Sequence, residues 1–544
     1  PPRARPRPPA HARTARQALR LSVQQQKRAQ EEVPEAPTLH PTASEFADPL
    51  AYVRGLRQKY GKFGIVKVVP PEGWEPVSRA APERGRRFST KRQLLHRLQE
   101  GHPFEDGEHY SPDEYREYGN KFRAEFMAAH PELAAALAAA ERGAGSTAEA
   151  VARAARVMEK EYWRLVETSQ EQVQVDYGND ICTSSFGTCF DPEASPRSPW
   201  NLSRITRRDA SALKHVAAVP GVTEPWLYFG SLFCTFCWHT EDHFLYSTSY
   251  LHSGANKTWY GIPASNATKF EAAMRDFMPQ RVKEDPDLLY HIVSLPSPMY
   301  CMSQGVKVYH AVQTPGSFMV TFPRAYHSGF SHGWNCAEAV NLAPADWLPF
   351  GREAVALNAQ KKKARRGAVF SHDWVVWQLA WSALEIKGRC AQAGTPMPPV
   401  EWSILLEELK QAWEAESPLR EWLRDYKVPE VQIERLQPPY KTEEECCVCQ
   451  NLVFFSAVRC RRHKTVTCLN HAYSRCSCED AQKVLEIRVP DRYLEEMVGI
   501  LEREVARGGG GADEAGASHK ETKRELERPQ GVGGKRSKTA PLKG

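Results

Sequence analysis

Residues Trp226 to Pro263 read WLYFGSLFCTFCWHTEDHFLYSTSYLHSGANKTWYGIP, and this stretch decides the fold. Short runs of aromatic and β-favouring residues alternate with Gly, Asn and Pro, a pattern that predicts strands joined by tight turns. The same texture runs from Val173 to Pro349, predicting an antiparallel barrel or sandwich over residues 173–350. Within it, His239 and Glu241 stand two residues apart. The two-residue period of a strand puts both side chains on one face, where they can supply two corners of a metal site. The third corner must come from another strand, and TFPRAYHSGF offers His327 beside Gly329. Two histidines and one carboxylate leave coordination positions open, as in non-haem Fe(II) oxygenases. The spacing is not the His-Glu-X-X-His of zinc proteases, whose histidines lie one helical turn apart. A lone His-X-Glu is common by chance, so the surrounding sequence has to carry the assignment.

Outward from this centre, Pro37 to Val77 forms a short segment in which Ser44 or Asp48 can cap a helix through Arg57. Ile65 to Val69 follows as a strand ended by Pro70-Pro71. Residues 79–172 read as mostly helical. Residues 351–440 return to helical periodicity, with Trp374, Trp377, Trp381 and Leu384 at core spacing. A cysteine-rich segment with a following helix spans 441–500. The ends, 1–36 and 508–544, are Pro/Arg-rich and Gly/Lys/Glu-rich respectively and read as disordered. No repeats are visible.

The whole chain bounds these readings. At 544 residues, 41% hydrophobic and 25% charged, it reads as a soluble globular protein with a substantial core. No apolar run is long enough to cross a bilayer. The start, PPRARPRPPAHARTARQALR, lacks an apolar segment and a Met, which suggests a fragment or processed form without a visible secretory signal. A net charge of +6, from 72 basic and 66 acidic residues, argues against a nucleic-acid-coating protein but permits local basic patches. Of 14 cysteines, seven lie between Cys446 and Cys478 with two histidines among them, a density that points to metal binding in a reducing compartment.

These residues carry a family resemblance. Trp226–Pro263, together with GSFMVTFPRAYHSGFSHGWNCAEAVNLAPADWLPFG from Gly316 to Gly351, resembles the two halves of a JmjC domain. The 37–78 segment resembles a JmjN domain, and the cysteine cluster resembles a C5HC2-type zinc finger. The three in this order resemble the JARID branch of the jumonji lysine demethylases. With no ARID domain or PHD finger in view, the layout is nearest the plant-type members. The resemblance implies an α+β fold: a double-stranded β-helix (jelly-roll, cupin-type) barrel with helical surround and a small zinc-binding domain.

The resemblance further implies roles. His239, Glu241 and His327 match the iron ligands. Lys257 and Tyr177 match the residues that hold the distal carboxylate of 2-oxoglutarate, with Phe236 and Ser247 beside them. A cation deep in an aromatic barrel is expensive unless it meets an anion, which suits Lys257 to a carboxylate. Trp226, Tyr228 and Asn341 match positions lining a methyl-lysine pocket, where aromatic faces suit an alkylated ammonium. One position departs: the family usually has Asn where this chain has Ser249, which predicts weaker or water-mediated 2-oxoglutarate binding. The implied reaction turns 2-oxoglutarate and dioxygen into succinate and carbon dioxide while an N-methyl group is hydroxylated and lost as formaldehyde. The implied substrate is methylated lysine 4 of histone H3, in the nucleus. The alternatives are a weak or silent JmjC chromatin scaffold and a JmjC protein hydroxylase.

Ligand counting in the cysteine cluster gives Cys446, Cys449, Cys460, His463, Cys468, His471, Cys476 and Cys478, enough for two tetrahedral zinc ions. Cys447 reads as the spare thiol, or it exchanges roles with Cys446. KKKARR at 361–366 can contact nucleosomal phosphate or form a solvated face, and KRSK at 535–538 resembles a nuclear-import patch. Cys234, Cys237, His243 and His252 read as core side chains.

Overall fold

The computed structural model describes residues 32–74, 85–101, 103–142, 144–168, 170–190, 198–285, 295–359, 368–397, 400–433 and 444–507. KKKARR, KRSK, nearly all of the expected N-terminal tail and the whole C-terminal one lie outside them. The chain divides into two compact units, residues 1–365 and 366–544.

The first unit is built on thirteen described strands: β1 Thr38–Leu39, β2 Ile65–Val68, β3 Phe88–Leu94, β4 Glu105–Tyr110, β5 Gln174–Cys182, β6 Trp226–Gly230, β7 Thr235–His239, β8 Tyr246–Gly254, β9 Lys257–Ile262, β10 Tyr309–Gln313, β11 Phe318–Thr321, β12 Tyr326–Ser331 and β13 Asn335–Leu342. They form a large sheet, β1-β2-β11-β8-β13-β6-β5-β3-β4, and a small one, β10-β9-β12-β7. The two face each other as a jelly-roll barrel. Lys257 of the small sheet reaches the rings of Tyr177 and Tyr228 on the large one, 5.9 Å from each centroid.

Both edges of the large sheet are extended by sequence outside the barrel. At one edge β2 pairs antiparallel with β11 and β1 pairs with β2, so these two strands continue the barrel sheet. Asp48, not Ser44, caps its helix: Oδ1 accepts from the backbone of Leu50 (3.1 Å) and Ala51 (3.3 Å), and the helix runs from Pro49 to Tyr60. Phe46 stacks on Trp200 at 4.2 Å and anchors the segment. The expected tail boundary at 36 moves back. Val33 and Ala36 are buried, and His310 on β10 exchanges backbone hydrogen bonds with Ala36 and Pro34.

At the other edge the region expected to be mostly helical contributes β3 and β4, with β3 paired to β5. The β4 sequence, EDGEHY, has no apolar alternation because neither face of this edge strand is buried. Helices Pro112–Ala129, Pro131–Arg142 and Thr147–Thr168 follow. The last buries Ala155, Met158, Tyr162 and Leu165, one stripe at helical spacing. Tyr162 stacks on Phe330 at 3.9 Å, and Trp163 Nε1 donates to the Tyr260 hydroxyl at 2.8 Å, sealing the outer face of the small sheet.

The second unit combines helices His372–Ala393, Trp402–Asp425 and Asp491–Ala506 with β14 Glu430–Gln432, β15 Glu444–Glu445, β16 Leu452–Val453, β17 Ser456–Cys460, β18 Val466–Thr467 and β19 Lys483–Ile487. Trp377 and Leu384 are buried, Trp374 and Trp381 half-buried. β14 pairs with β19, so the region expected to be helical to 440 ends in a strand of the cysteine domain's own sheet. Arg420 is fully buried and donates to Ser456 Oγ on β17 at 3.3 Å, to Val489 O at 3.0 Å and to Asp491, tying its helix to this sheet and to the segment that follows it. Among the described residues no helix is long and apolar enough to cross a membrane.

Candidate metal and cosubstrate site

His239 ends β7, and Glu241 stays extended just beyond it, at φ −66°, before a tight turn through His243 and Phe244. His327 lies on β12 directly opposite His239 in the antiparallel ladder, with ring centroids 4.1 Å apart. His327 Nε2 is 3.2 Å from Glu241 Oε1. One ligand atom from each of the three residues falls within 4.8 Å of the others. His239 Nδ1 lies 2.8 Å from Cys237 O, and His327 Nδ1 lies 3.3 Å from Ala325 O. A carbonyl can only accept, so in a neutral ring each Nδ1 carries the proton and Nε2 presents its lone pair inward.

Burial pushes His239 down to about 4, and neighbouring His327 adds to the push. Burial works against the Glu241 charge, yet neighbouring His327, with help from His239 and Asn341, holds its carboxyl at about 2. Two imidazole nitrogens and a carboxylate oxygen converging from one side suit a divalent transition metal with open positions.

Asn341 Nδ2 donates to Glu241 Oε2 at 2.9 Å and to Tyr246 O at 3.1 Å, so it orients the carboxylate.

Phe236 and His239 are three residues apart, a spacing that a regular strand would put on opposite faces. A register shift between β7 and β12 brings both inward. Gly329 makes room for the Phe236 ring: a Cβ there would meet Phe236 Cζ at 2.6 Å and collide with Thr258 O. Phe236 lies 6.5 Å from His327 and 4.9 Å from Lys257 Nζ, which links the metal ligands to the lysine.

Lys257 is buried among Phe236, Tyr177, Tyr228 and Trp259, and burial lowers its amine to about 8. Among the described residues no carboxylate pairs with it. Such an amine fits a carboxylate-bearing ligand. The register puts Ser247 opposite Asn341, and Ser249 opposite Ala339, whose other neighbour is Trp226. By strand alternation Trp226, Tyr228, Ser247, Ser249 and Asn341 therefore share the inner face. Trp259, unremarked in the sequence reading, lies parallel to the His327 ring at 6.0 Å. Its signal was its place two residues after Lys257 on one strand. Cys234 and Cys237 are buried core thiols.

In the second unit the eight candidate ligands separate into two groups: Cys446, Cys449, Cys468 and His471, and Cys460, His463, Cys476 and Cys478. The pairs alternate along the chain, first with third and second with fourth, a crossed arrangement that ligand counting left open. Cys449 and Cys468 sulfurs are 4.0 Å apart, and Cys460 and Cys476 sulfurs 3.7 Å. Zinc–sulfur bonds of about 2.3 Å imply a tetrahedral edge of roughly 3.8 Å, so both groups fit zinc. Cys447 is exposed and belongs to neither.

Comparison with known proteins agrees with this organisation. Residues 37–70 match the jmjN domain, 226–342 the JmjC domain (hydroxylase), and 446–497 the C5HC2 zinc finger. The chain is 34% identical over 499 residues to the "Lysine-specific demethylase JMJ703" of Oryza sativa subsp. japonica, an alignment covering 82% of this chain and 39% of that protein. It is 31% identical to the "Putative lysine-specific demethylase JMJ16" of Arabidopsis thaliana, over 86% and 44%. To the "Lysine-specific demethylase JMJ17" of Arabidopsis thaliana it is 38% identical, over 64% and 29%. The chain thus spans less than half the length of these relatives. A JmjC domain implies dependence on Fe(II) and 2-oxoglutarate, and a C5HC2 finger implies zinc. The chain is a JmjN/JmjC-domain protein with a C5HC2 zinc finger, in the layout of its plant homologues.

Proposed function

We propose that this protein is an Fe(II)- and 2-oxoglutarate-dependent dioxygenase that demethylates histone lysine, with methylated lysine 4 of the histone H3 tail as its substrate, in the nucleus. The observation that carries the reading is one aromatic chamber shared by a three-ligand site and a buried amine with no carboxylate partner among the described residues. His239, Glu241 and His327 would hold iron, and Lys257 with Tyr177 would hold the distal carboxylate of 2-oxoglutarate. Together these supply, when bound, the oxidising chemistry that a methyl C–H bond demands. The chain's own part is placement. Asn341 keeps Glu241 aimed at the metal, the backbone carbonyls set the histidine tautomers, and Phe236 and Trp259 exclude water between metal and amine. Trp226 and Tyr228 offer ring faces to an alkylated ammonium on the same inner surface. In the finger, two zinc ions would hold the fold.

The test is mass spectrometry of a trimethyl-lysine-4 histone H3 peptide incubated with the protein, Fe(II), ascorbate and 2-oxoglutarate. Stepwise loss of methylene masses with formaldehyde release, abolished by His239→Ala, is the expected result. Gain of an oxygen atom without methyl loss would make the chain a hydroxylase. No reaction and no 2-oxoglutarate binding would make it a scaffold, with Ser249 as the first suspect.

A further inference from the structure

A second cluster of metal-binding residue types lies on the opposite face of the large sheet. Glu338 and Cys336 are two residues apart on β13 and share its outer face, away from Asn341 and Ala339. His252 projects from neighbouring β8 on that face, and Cys189 comes from the loop following β5. One ligand atom each from Cys189, His252 and Glu338 fall within 4.8 Å of one another, and Cys336 Sγ is 3.7 Å from Cys189 Sγ.

The polar accounting here is incomplete without a cation. Glu338 is 0% exposed. Its carboxylate accepts from the Thr188 hydroxyl at 2.8 Å and from the Cys189 backbone N–H at 3.0 Å, which folds the loop onto the sheet. The His252 side chain is 4% exposed, and neither ring nitrogen makes a hydrogen bond, although Nε2 stands 3.4 Å from Glu338 Oε2. An imidazole that faces a buried carboxylate without bonding to it is left with unsatisfied polar atoms.

We propose that Cys189, His252 and Glu338, with Cys336 beside Cys189, form a structural zinc site on the outer face of the barrel. Zinc–nitrogen and zinc–oxygen bonds of about 2.0–2.1 Å give a tetrahedral edge of roughly 3.4 Å, the His252–Glu338 separation. The Cys189–Cys336 spacing equals that of Cys460 and Cys476 in the finger, at 3.7 Å. Thiolate, imidazole and carboxylate are donors that zinc accepts, and a dication offsets the buried negative charge. Thr188 keeps the second carboxylate oxygen and orients the ligand. The cluster lies on the outer face of β13, away from the inner chamber, which suits a structural role. It would staple the loop after β5, the strand bearing Tyr177, to β13, the strand bearing Asn341.

The test counts zinc by inductively coupled plasma mass spectrometry in the full chain carrying His239→Ala and His327→Ala, which keeps zinc out of the inner site. Adding Cys189→Ser, or separately His252→Gln, should remove one zinc equivalent per chain, while Thr188→Val should retain it. An unchanged zinc count in both ligand variants overturns the proposal. Should those variants fail to fold, crystals of the unmodified chain measured at the zinc absorption edge decide. An anomalous peak bonded to Cys189 Sγ and Glu338 supports the site, and its absence, with finger peaks present, overturns it. A disulfide joining Cys189 to Cys336 in peptide maps of the same protein overturns it as well.

Discussion

The barrel and the finger solve metal binding in opposite ways. In the barrel, His239 and His327 face each other across a hydrogen-bonded ladder, and Asn341 aims the carboxylate of Glu241. Backbone and aromatic packing hold these three groups, and among the described residues three donors converge, fewer than a closed tetrahedral shell needs. In the finger, eight donors lie on short strands and loops, grouped four and four, around a small apolar core of Leu423, Val428, Val458, Leu469, Ala472, Leu485 and Ile487. On this reading the fold would hold the metal in the barrel, whereas in the finger the metal would hold the fold.

The largest expected effect tests that contrast directly. Stripping zinc with a chelator removes about 10 kcal/mol or more per site and should unfold the 446–497 segment. Limited proteolysis should then cut there while residues 226–342 stay protected. His239→Ala should leave both regions resistant. A finger that survives chelation, or a barrel that loses protection with His239→Ala, breaks the comparison.

Next is Lys257→Met, which keeps the length and removes the charge. Losing one partner of a buried charge pair costs about 2–5 kcal/mol, so 2-oxoglutarate should bind roughly 30-fold weaker or worse by calorimetry. The melting temperature without ligand should not fall, because the variant no longer buries an uncompensated amine. The pH dependence follows from the lowered amine, 10.5 to about 8. The folded state resists the proton, so ligand-free stability gains as pH rises from about 8 toward 10.5, and that gain is absent below 8. Binding has the opposite sign: it needs the ammonium, so affinity should decline above pH 8 and be pH-insensitive there in Lys257→Met. A ligand-free melting temperature that drops in this variant would assign the amine a structural role.

Asn341→Ala comes third. Partners of metal ligands typically matter about 10–100-fold in metal affinity or turnover. A fall in iron affinity, read by metal titration, would follow from the 2.9 Å bond to Glu241. A change in peptide KM alone would favour the methyl-lysine-pocket role that the resemblance implied.

Much of the barrel was legible because strand periodicity and Gly/Asn/Pro punctuation are local signals, and the His239–Glu241 spacing depends on one strand. The shared face of Phe236 and His239 was not, because a bulge breaks the two-residue period that the inference assumes. Strand β4 was missed since an exposed edge leaves no apolar alternation to read. The finger's ligands were visible as a cysteine count, but their crossed grouping depends on how β17 and β18 fold back, which spacing does not encode. His252 looked like an ordinary core histidine because Cys189 and Glu338 are remote from it in sequence and meet it only across the sheet.

The smallest predicted effect sharpens the barrel's side of the comparison. Ser249 stands on the inner face of β8, two residues from Ser247, with its backbone carbonyl already accepting from Gln313 Nε2 at 2.9 Å. A serine offers one short donor where the family's usual asparagine offers an amide with two. If the ligands are held chiefly by the fold, restoring the amide should change only the cosubstrate term. Ser249→Asn should gain one hydrogen bond, about 0.5–1.5 kcal/mol, so 2-oxoglutarate affinity should rise roughly 2–10-fold. Iron affinity, read in parallel, should stay put, because Ser249 touches none of the three ligands. A shift in iron affinity of similar size would mean that the two halves of the chamber are coupled and that the ladder alone does not fix the metal site. Weaker 2-oxoglutarate binding would mean that this barrel has repacked around the smaller side chain, making serine the fitted residue here.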